Sequence, residues 1–287
     1  MSDTVKAEQI TVLGGSGYIG QHLAAYLKQL GHDCWVPKRD DPSILQRPLG
    51  TVFYCIGLTA DFRSRPFETV DAHVGVLSKV LEYGRFNQLI YLSSTRVYLG
   101  APDTYEDQTL TVNTQVSDDL YKLSKLMGES LVLHSGRPCK VVRLSNVVGG
   151  TGGNHDSFVY GLVQEARQGA VLLRSAPDSA KDYICMDDVT SQLVQIAWRG
   201  QHKVYNLASG IQTTHAQWLE LICAEHGCTW SALPNAPFQQ FLPIRIERIQ
   251  SELGFVPKSA IGQFCSIQPQ EIGHHDESKS AIPSRTA

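Results

Sequence analysis

Tyr121-Lys-Leu-Ser-Lys125 sets a phenol and an ammonium four residues apart, and on a helix that spacing puts them on one face. A phenol with a pKa near ~10 is a poor acid-base catalyst at neutral pH, but a neighbouring positive charge favours its phenolate. So tuned, Tyr121 can exchange a proton with a substrate oxygen. Ser94, in Ser93-Ser-Thr-Arg-Val-Tyr98, directly follows an apolar run and would offer a hydroxyl to orient a carbonyl. Each residue alone has a plainer reading: a solvated helix face for Tyr121 and Lys125, a turn residue for Ser94. Their weight comes from occurring together, in this order, behind a glycine turn.

That turn is Ile10-Thr-Val-Leu-Gly-Gly-Ser-Gly-Tyr-Ile-Gly20. Gly15, Gly17 and Gly20 fit the G-x-G-x-x-G spacing, and Gly14, Gly17 and Gly20 fit the looser G-x-x-G-x-x-G. Glycine is needed where the chain turns sharply, approaches a pyrophosphate, and packs a helix on its strand. The helix start then faces phosphate with unpaired N–H groups. Gly14, Gly15, Ser16, Gly17, Tyr18, Ile19 and Gly20 are therefore expected to hold a dinucleotide. An oxidised nicotinamide would add to the pull on the Tyr121 proton while hydride moves, and Lys125 would hydrogen-bond the nicotinamide ribose.

The elements that must position these groups follow from apolar runs. Strands are expected at 10–13, 34–36, 51–57, 89–93 and 140–145, with helices over 22–30, 70–83, 120–134 and 158–169. Alternation of this kind makes an α/β fold with a doubly wound parallel sheet. The second strand ends in Pro37-Lys38-Arg39, where the adenosine ribose is read. Lys38 and Arg39 favour NADP(H), while Asp40 and Asp41 leave NAD(H) open. The third run closes on Gly57, which is placed against the cofactor. Residues 1–150 form the dinucleotide-binding domain, to which later segments return. Residues 151–272 form a small, partly interleaved substrate-binding domain, and the polar stretch 273–287 reads as a disordered tail.

At 287 residues the chain can bury a substantial core. A formal charge of −3 and a pI near 6.4 give no support for a nucleic-acid partner. No apolar run is long enough to span a membrane, and the polar stretch Met1 to Gln9 carries no targeting signal, so a cytoplasmic location is expected. Seven scattered cysteines suit reduced thiols. Neither His274-His275-Asp276 nor His226 between Cys223 and Cys228 specifies a closed metal site, and no metal is expected.

Gly14-Gly-Ser-Gly-Tyr-Ile-Gly20, Tyr91-Leu-Ser-Ser-Thr-Arg-Val-Tyr98, Tyr121-x-x-x-Lys125, Arg143-Leu-Ser-Asn-Val-Val-Gly149, Asp182-Tyr-Ile-Cys-Met-Asp-Asp-Val189 and Tyr205-Asn-Leu-Ala-Ser-Gly210 resemble the extended short-chain dehydrogenase/reductases of the nucleotide-sugar epimerase/dehydratase type. The resemblance runs from about residue 9 to about 260. It implies a Rossmann domain with a small C-terminal substrate domain, chemistry on a nucleotide-sugar, and Ser94, Tyr121 and Lys125 as the catalytic triad. It further implies that Asn146 contacts the substrate diphosphate, that Arg245 or Arg248 assists from the C-terminal region, and that a homodimer forms through the helix of Tyr121 and the one near 74–83. The apolar spacing of Leu120, Leu123, Met127 and Leu131 suits such an interface, and suits a buried intramolecular face as well.

The departures are informative. Thr95 and Arg96 stand where 4,6-dehydratases of this family carry Asp-Glu, so elimination of water by that mechanism is not expected. Both are placed against substrate, Arg96 having a structural ion pair as its alternative. His73 occupies the position of the cofactor-side Asn, and Lys181 that of an Arg, which keeps charge but loses the bidentate fork. His155 borders the sugar, as a second proton donor or a polar loop residue. The expected activity is reduction of the C4 keto group of a nucleotide-activated deoxysugar. The alternatives are a 4-epimerase with tightly bound NAD, a reductase of non-sugar carbonyls, and a non-catalytic NADP sensor.

Overall fold

The computed structural model describes residues 9–264 except 60, 151–156 and 240. His155, the His274-His275-Asp276 run and the rest of 273–287 lie outside the described residues. The first half of the chain forms β1 (Ile10–Leu13), α1 (Tyr18–Gln29), β2 (Cys34–Trp35), β3 (Pro48–Tyr54), α2 (Pro66–Val70), α3 (Val76–Tyr83), β4 (Arg85–Ser94), α4 (Asp119–His134), β5 (Cys139–Leu144) and β6 (Asn146–Val148). There follow α5 (Phe158–Ala166), β7 (Ala170–Leu173), β8 (Ala180–Cys185), α6 (Met186–Arg199), β9 (Val204–Leu207), β10 (Gln212–Thr214), α7 (His215–His226), β11 (Thr229–Ala232), α8 (Glu247–Leu253) and α9 (Ala260–Phe264).

Six strands make a parallel sheet in the order β2-β1-β3-β4-β5-β9. The chain leaves β1 towards β2 and then crosses to β3 on the other side. This places the topological switch, and hence the ligand crevice, outside the carboxyl ends of β1 and β3. Successive side chains in each strand point to opposite faces. Phe53, Ile90, Leu92 and Val142 pack under α1 and α6 with Leu23, Leu27, Leu193 and Ile196. Val52, Tyr54, Leu89, Tyr91 and Val141 pack with Leu77, Val80 and Val132 of α3 and α4. Burial on both faces is why these strands read as continuous apolar runs.

A second layer supplies the far wall of the crevice. β8 lies between β6, to which it is parallel, and β10, to which it is antiparallel, while β7 and β11 form a parallel pair. Leu162, Val171, Leu173, Tyr183, Trp218 and Ile222 close its core. The chain then returns, with α6 against α1 and β9 beside β5. Of the expected helix over 70–83, the first part widens into a π-turn at Asp71–Gly75 that carries His73. Among the described residues six cysteines are free thiols, of which Cys139, Cys185 and Cys223 are buried. Among the described residues no helix is long and apolar enough to cross a membrane.

Candidate active site

After β1 the chain turns at Gly14 with φ +78°, where a Cβ would stand 2.8 Å from the backbone of Cys55 and Ile56. A Cβ on Gly20 would run into the Gly14 carbonyl. Gly17 N donates to Gly14 O at 3.0 Å and closes the turn. At the start of α1, Gly17 makes no side-chain cap and the first turn carries no acid, so the leading N–H groups remain available to an anion. Gly17, Tyr18 and Ile19 line the cleft, and Gly14, Gly15, Ser16 and Gly20 shape the turn behind them. This cradle fits the pyrophosphate of a dinucleotide. The Tyr18 hydroxyl bonds the carbonyl of Gly149, tying the turn to the end of β6.

From the turn a cleft of about 950 Å³ runs past the ends of β3, β4 and β5 to Lys181 and Phe241. Ser94, Tyr121 and Lys125 all line it. Ser94 ends β4 and caps the 3-10 turn Thr95–Tyr98, its Oγ accepting from Arg96 N at 3.2 Å. That bond occupies an acceptor site and leaves the hydroxyl proton for Tyr121 or a substrate carbonyl. Tyr121, buried, packs edge-on to His73 at 5.2 Å and beside Phe62 at 5.4 Å. Burial raises its phenol, against which hydrogen bonds with Ser94 and Thr59 and the charge of Arg96 pull it down.

Lys125 is 4% exposed and donates to Leu92 O at 2.9 Å. Burial lowers its ammonium to about 7, partly opposed by Glu129 one turn along α4. Glu129 is itself paired with Arg143 at 2.7 Å and accepts from Ser93 Oγ at 2.5 Å, a fully buried network behind the site. Burial thus weakens Lys125 as a source of positive charge for Tyr121, and Arg96 is a second cation that bears on the phenol.

Further expectations divide. Arg39 lines the cleft and Lys38 does not; Arg39 sits inside the turn that Asp41 N closes by donating to Lys38 O at 3.3 Å. Asp41 turns away to cap the 3-10 turn Pro42–Leu45, accepting from Ser43 N at 2.9 Å and from Ser43 Oγ at 2.6 Å. Thr95, Arg96, Asn146 and Gly57 all border the cleft. Asn146 Nδ2 donates to Asp182 O at 2.9 Å. Arg245 is a correction: it stands outside the cleft lining, bound to Asp103 and Glu247, each at 3.2 Å, and stacked on Tyr105. Arg248 is likewise held by Asp107 at 2.7 Å and by Val204 O at 2.9 Å. Both guanidiniums fasten the 103–107 segment to the C-terminal region.

His73 is fixed in one tautomer. Ser124 Oγ donates its only proton to Tyr121 O at 2.9 Å, so it must accept from His73 Nδ1 at 2.8 Å. Nε2 then carries the lone pair and accepts from Leu58 N at 3.4 Å. Burial, with the Lys125 charge, pushes the imidazole down to about 2, so it stays neutral. His73 thereby holds residues 57–59, and a methyl on Gly57 would lie 3.5 Å from Lys125 Nζ and 3.6 Å from His73 Nε2. Thr59 and Glu129 were not singled out from the sequence. A hydroxyl two residues past a strand-closing glycine, and an acid four residues after Lys125, were the available signals. Lys181, packed between the Phe158 and Phe241 rings, is lowered to about 8 by burial and then by Arg96.

A family model described as the NAD dependent epimerase/dehydratase family matches residues 10–208. No curated protein sequence matches the chain. Among solved structures, the epimerase Mth375 from Methanothermobacter thermautotrophicus is similar at 19% identity, with 88% of each chain covered and a TM-score of 0.75. RMD from Pseudomonas aeruginosa, complexed with NADPH, is 20% identical over 89% of this chain and 96% of its own, with a TM-score of 0.73. MoeE5, complexed with UDP-glucose and NAD, is 21% identical over 88% of this chain and 94% of its own, with a TM-score of 0.72. At these identities the likeness is one of fold.

Proposed function

The chain belongs to the NAD dependent epimerase/dehydratase family, and from that premise we propose that it is an NAD(P)-dependent oxidoreductase that reduces the C4 keto group of a nucleotide-activated deoxysugar. The observation that carries the reading is the convergence of Ser94, Tyr121 and Lys125 on one cleft that begins at the glycine turn and ends at a basic, aromatic-lined wall. A bound NAD(P)(H) supplies the hydride chemistry. The turn from Gly14 to Gly20 holds its pyrophosphate, Arg39 its adenosine end, and Lys125 and Gly57 its nicotinamide ribose. Ser94 donates its hydroxyl proton to the keto oxygen and polarises it, and Tyr121 delivers the proton that completes the alcohol. Arg96 and Thr95 border the sugar, and Asn146 and Lys181 face the diphosphate. Thr95 and Arg96 supply neither the acid nor the base of an elimination, which supports reduction over dehydration.

The absence of Lys38 from the cleft lining and the engagement of Asp41 with Ser43 leave Arg39 as the residue that would recognise a 2′-phosphate. Arg39 supports NADP(H); the loss of Lys38 favours, as a second reading, a 4-epimerase that keeps NAD and returns the hydride to the opposite face of the sugar. Mass spectrometry of the co-purifying nucleotide, with binding of NADPH and NADH to the emptied protein, separates the two. Preferential and exchangeable NADPH binding is the expected result, and stoichiometric, slowly released NAD would replace the reductase by the epimerase. The half-exposed Met127, with Leu120 and Leu123 on α4 and an 88% exposed Phe67 on α2, supports a homodimer through these helices. Sedimentation of Met127→Glu as a monomer would bear on that assembly.

A further inference from the structure

Arg96 borders the cleft on the side of the proposed sugar site and also lies against the ring of Tyr121. It extends from the 3-10 turn after β4, and its guanidinium carbon lies 5.2 Å from the centre of the Phe62 ring and 5.5 Å from that of Tyr121. Among the described residues no carboxylate pairs with it. The carboxylate it faces, Asp118, is already held through both oxygens by Arg63, each at 2.6 Å. Lys181, which it also faces across the cleft, is a cation. The remaining groups about Tyr121 are uncharged or turned elsewhere: Ser94 and Thr59 give hydroxyls, His73 is locked neutral, and Asp61 is paired with Arg65 at 3.7 Å. Lys125, on Tyr121's own helix, spends a proton on Leu92 O and is buried.

We propose that Arg96 is a positioning residue for the Tyr121 proton: its guanidinium, lodged against the Phe62 and Tyr121 rings with no carboxylate of its own, is the fixed charge that favours the phenolate. The inference rests on the reading of Tyr121 as the proton donor. It follows from a division of labour between two cations. A lysine shifts its proton readily when buried, whereas a guanidinium stays charged across the whole working range. With the Lys125 ammonium brought down to about 7, a charge that does not titrate is needed for Tyr121 to keep its tuning at alkaline pH. Placed over the ring face, Arg96 also attracts the neutral phenol, but a full negative charge far more strongly.

The test reads the phenol itself. Protein labelled with [13Cζ]tyrosine and saturated with NADP+ is titrated by NMR, with Tyr121→Phe to assign the resonance. At an effective dielectric near ~20, a unit charge about 6–8 Å away moves the midpoint by about 1–2 pKa units. Arg96→Gln is expected to raise the Tyr121 midpoint by that amount and Arg96→Lys to restore most of it. If Arg96→Gln does not fold, Arg96→Met, which keeps the aliphatic stem against Phe62, is read in the same way. An unchanged midpoint in the uncharged variants overturns the proposal, as does a Tyr121 that fails to ionise below pH 11 in the unmodified protein. No sugar is present in this titration, so it can fail while Tyr121 remains the proton donor, which the turnover of Tyr121→Phe tests separately.

Discussion

Lys125→Met separates what burial of an ammonium costs the fold from what it does for the site. The ammonium ordinarily titrates at 10.5 and is lowered to about 7 here, chiefly by burial. Between those values the unfolded chain holds the proton and the folded chain does not, so folding releases one proton. Stability contributed by this group therefore rises with pH, by about 1.4 kcal/mol per unit. The penalty is absent above the unfolded value, grows as pH falls through this window, and is complete below the folded value. From pH 7.5 to 9.0 the unmodified protein should gain about 2 kcal/mol relative to Lys125→Met. Met has a similar length and leaves Leu92 O without its donor, a loss that is the same at both pH values and cancels from the comparison. Urea unfolding of the cofactor-free proteins at the two pH values measures the difference. A gap between the proteins that does not change with pH would show Lys125 to be charged throughout and would refute the account of its burial.

Other expectations follow from single contacts. Gly20→Ala drives a methyl into the Gly14 carbonyl; overpacking of this kind costs about 1–3 kcal/mol, and loss of NADPH affinity by fluorescence titration should accompany the loss of stability. Glu129→Gln leaves the Arg143 guanidinium buried and unbalanced, at a cost of about 3–5 kcal/mol in urea unfolding. Arg39→Ala should weaken NADPH binding more than NADH binding, whereas Lys38→Ala should change both little; equal effects of the two substitutions would contradict the orientation of the 37–39 segment.

Most of the sheet was legible because its strands are buried on both faces, so β1, β3, β4 and β5 each contain a mostly apolar run. The site was legible for a related reason: Gly14, Ser94 and Asn146 stand where those runs stop, at the ends of parallel strands. β4 begins at Arg85, earlier than its apolar run, since Gln88 can satisfy its amide on Thr51 at 3.2 Å without breaking the strand. What local pattern did not disclose are pairings between distant segments. Arg245, expected to assist at the substrate, is held by Asp103, and Arg143 joins Glu129 and Tyr98 into one network across three elements. The role of His73 depends on Ser124 and Leu58, 51 and 15 residues away, so its tautomer is a property of the folded chain alone.

The most direct test of the central claim is transfer of deuterium from [4-2H]NADPH to nucleotide-linked 4-keto-6-deoxyhexoses, followed by mass spectrometry of the sugar. The account predicts deuterium at C4, with the rate lowered by about 10²–10⁴ in Tyr121→Phe while NADPH affinity is retained. Turnover of Tyr121→Phe at the unmodified rate, or a protein that retains NAD and transfers no deuterium to any such sugar, would contradict it.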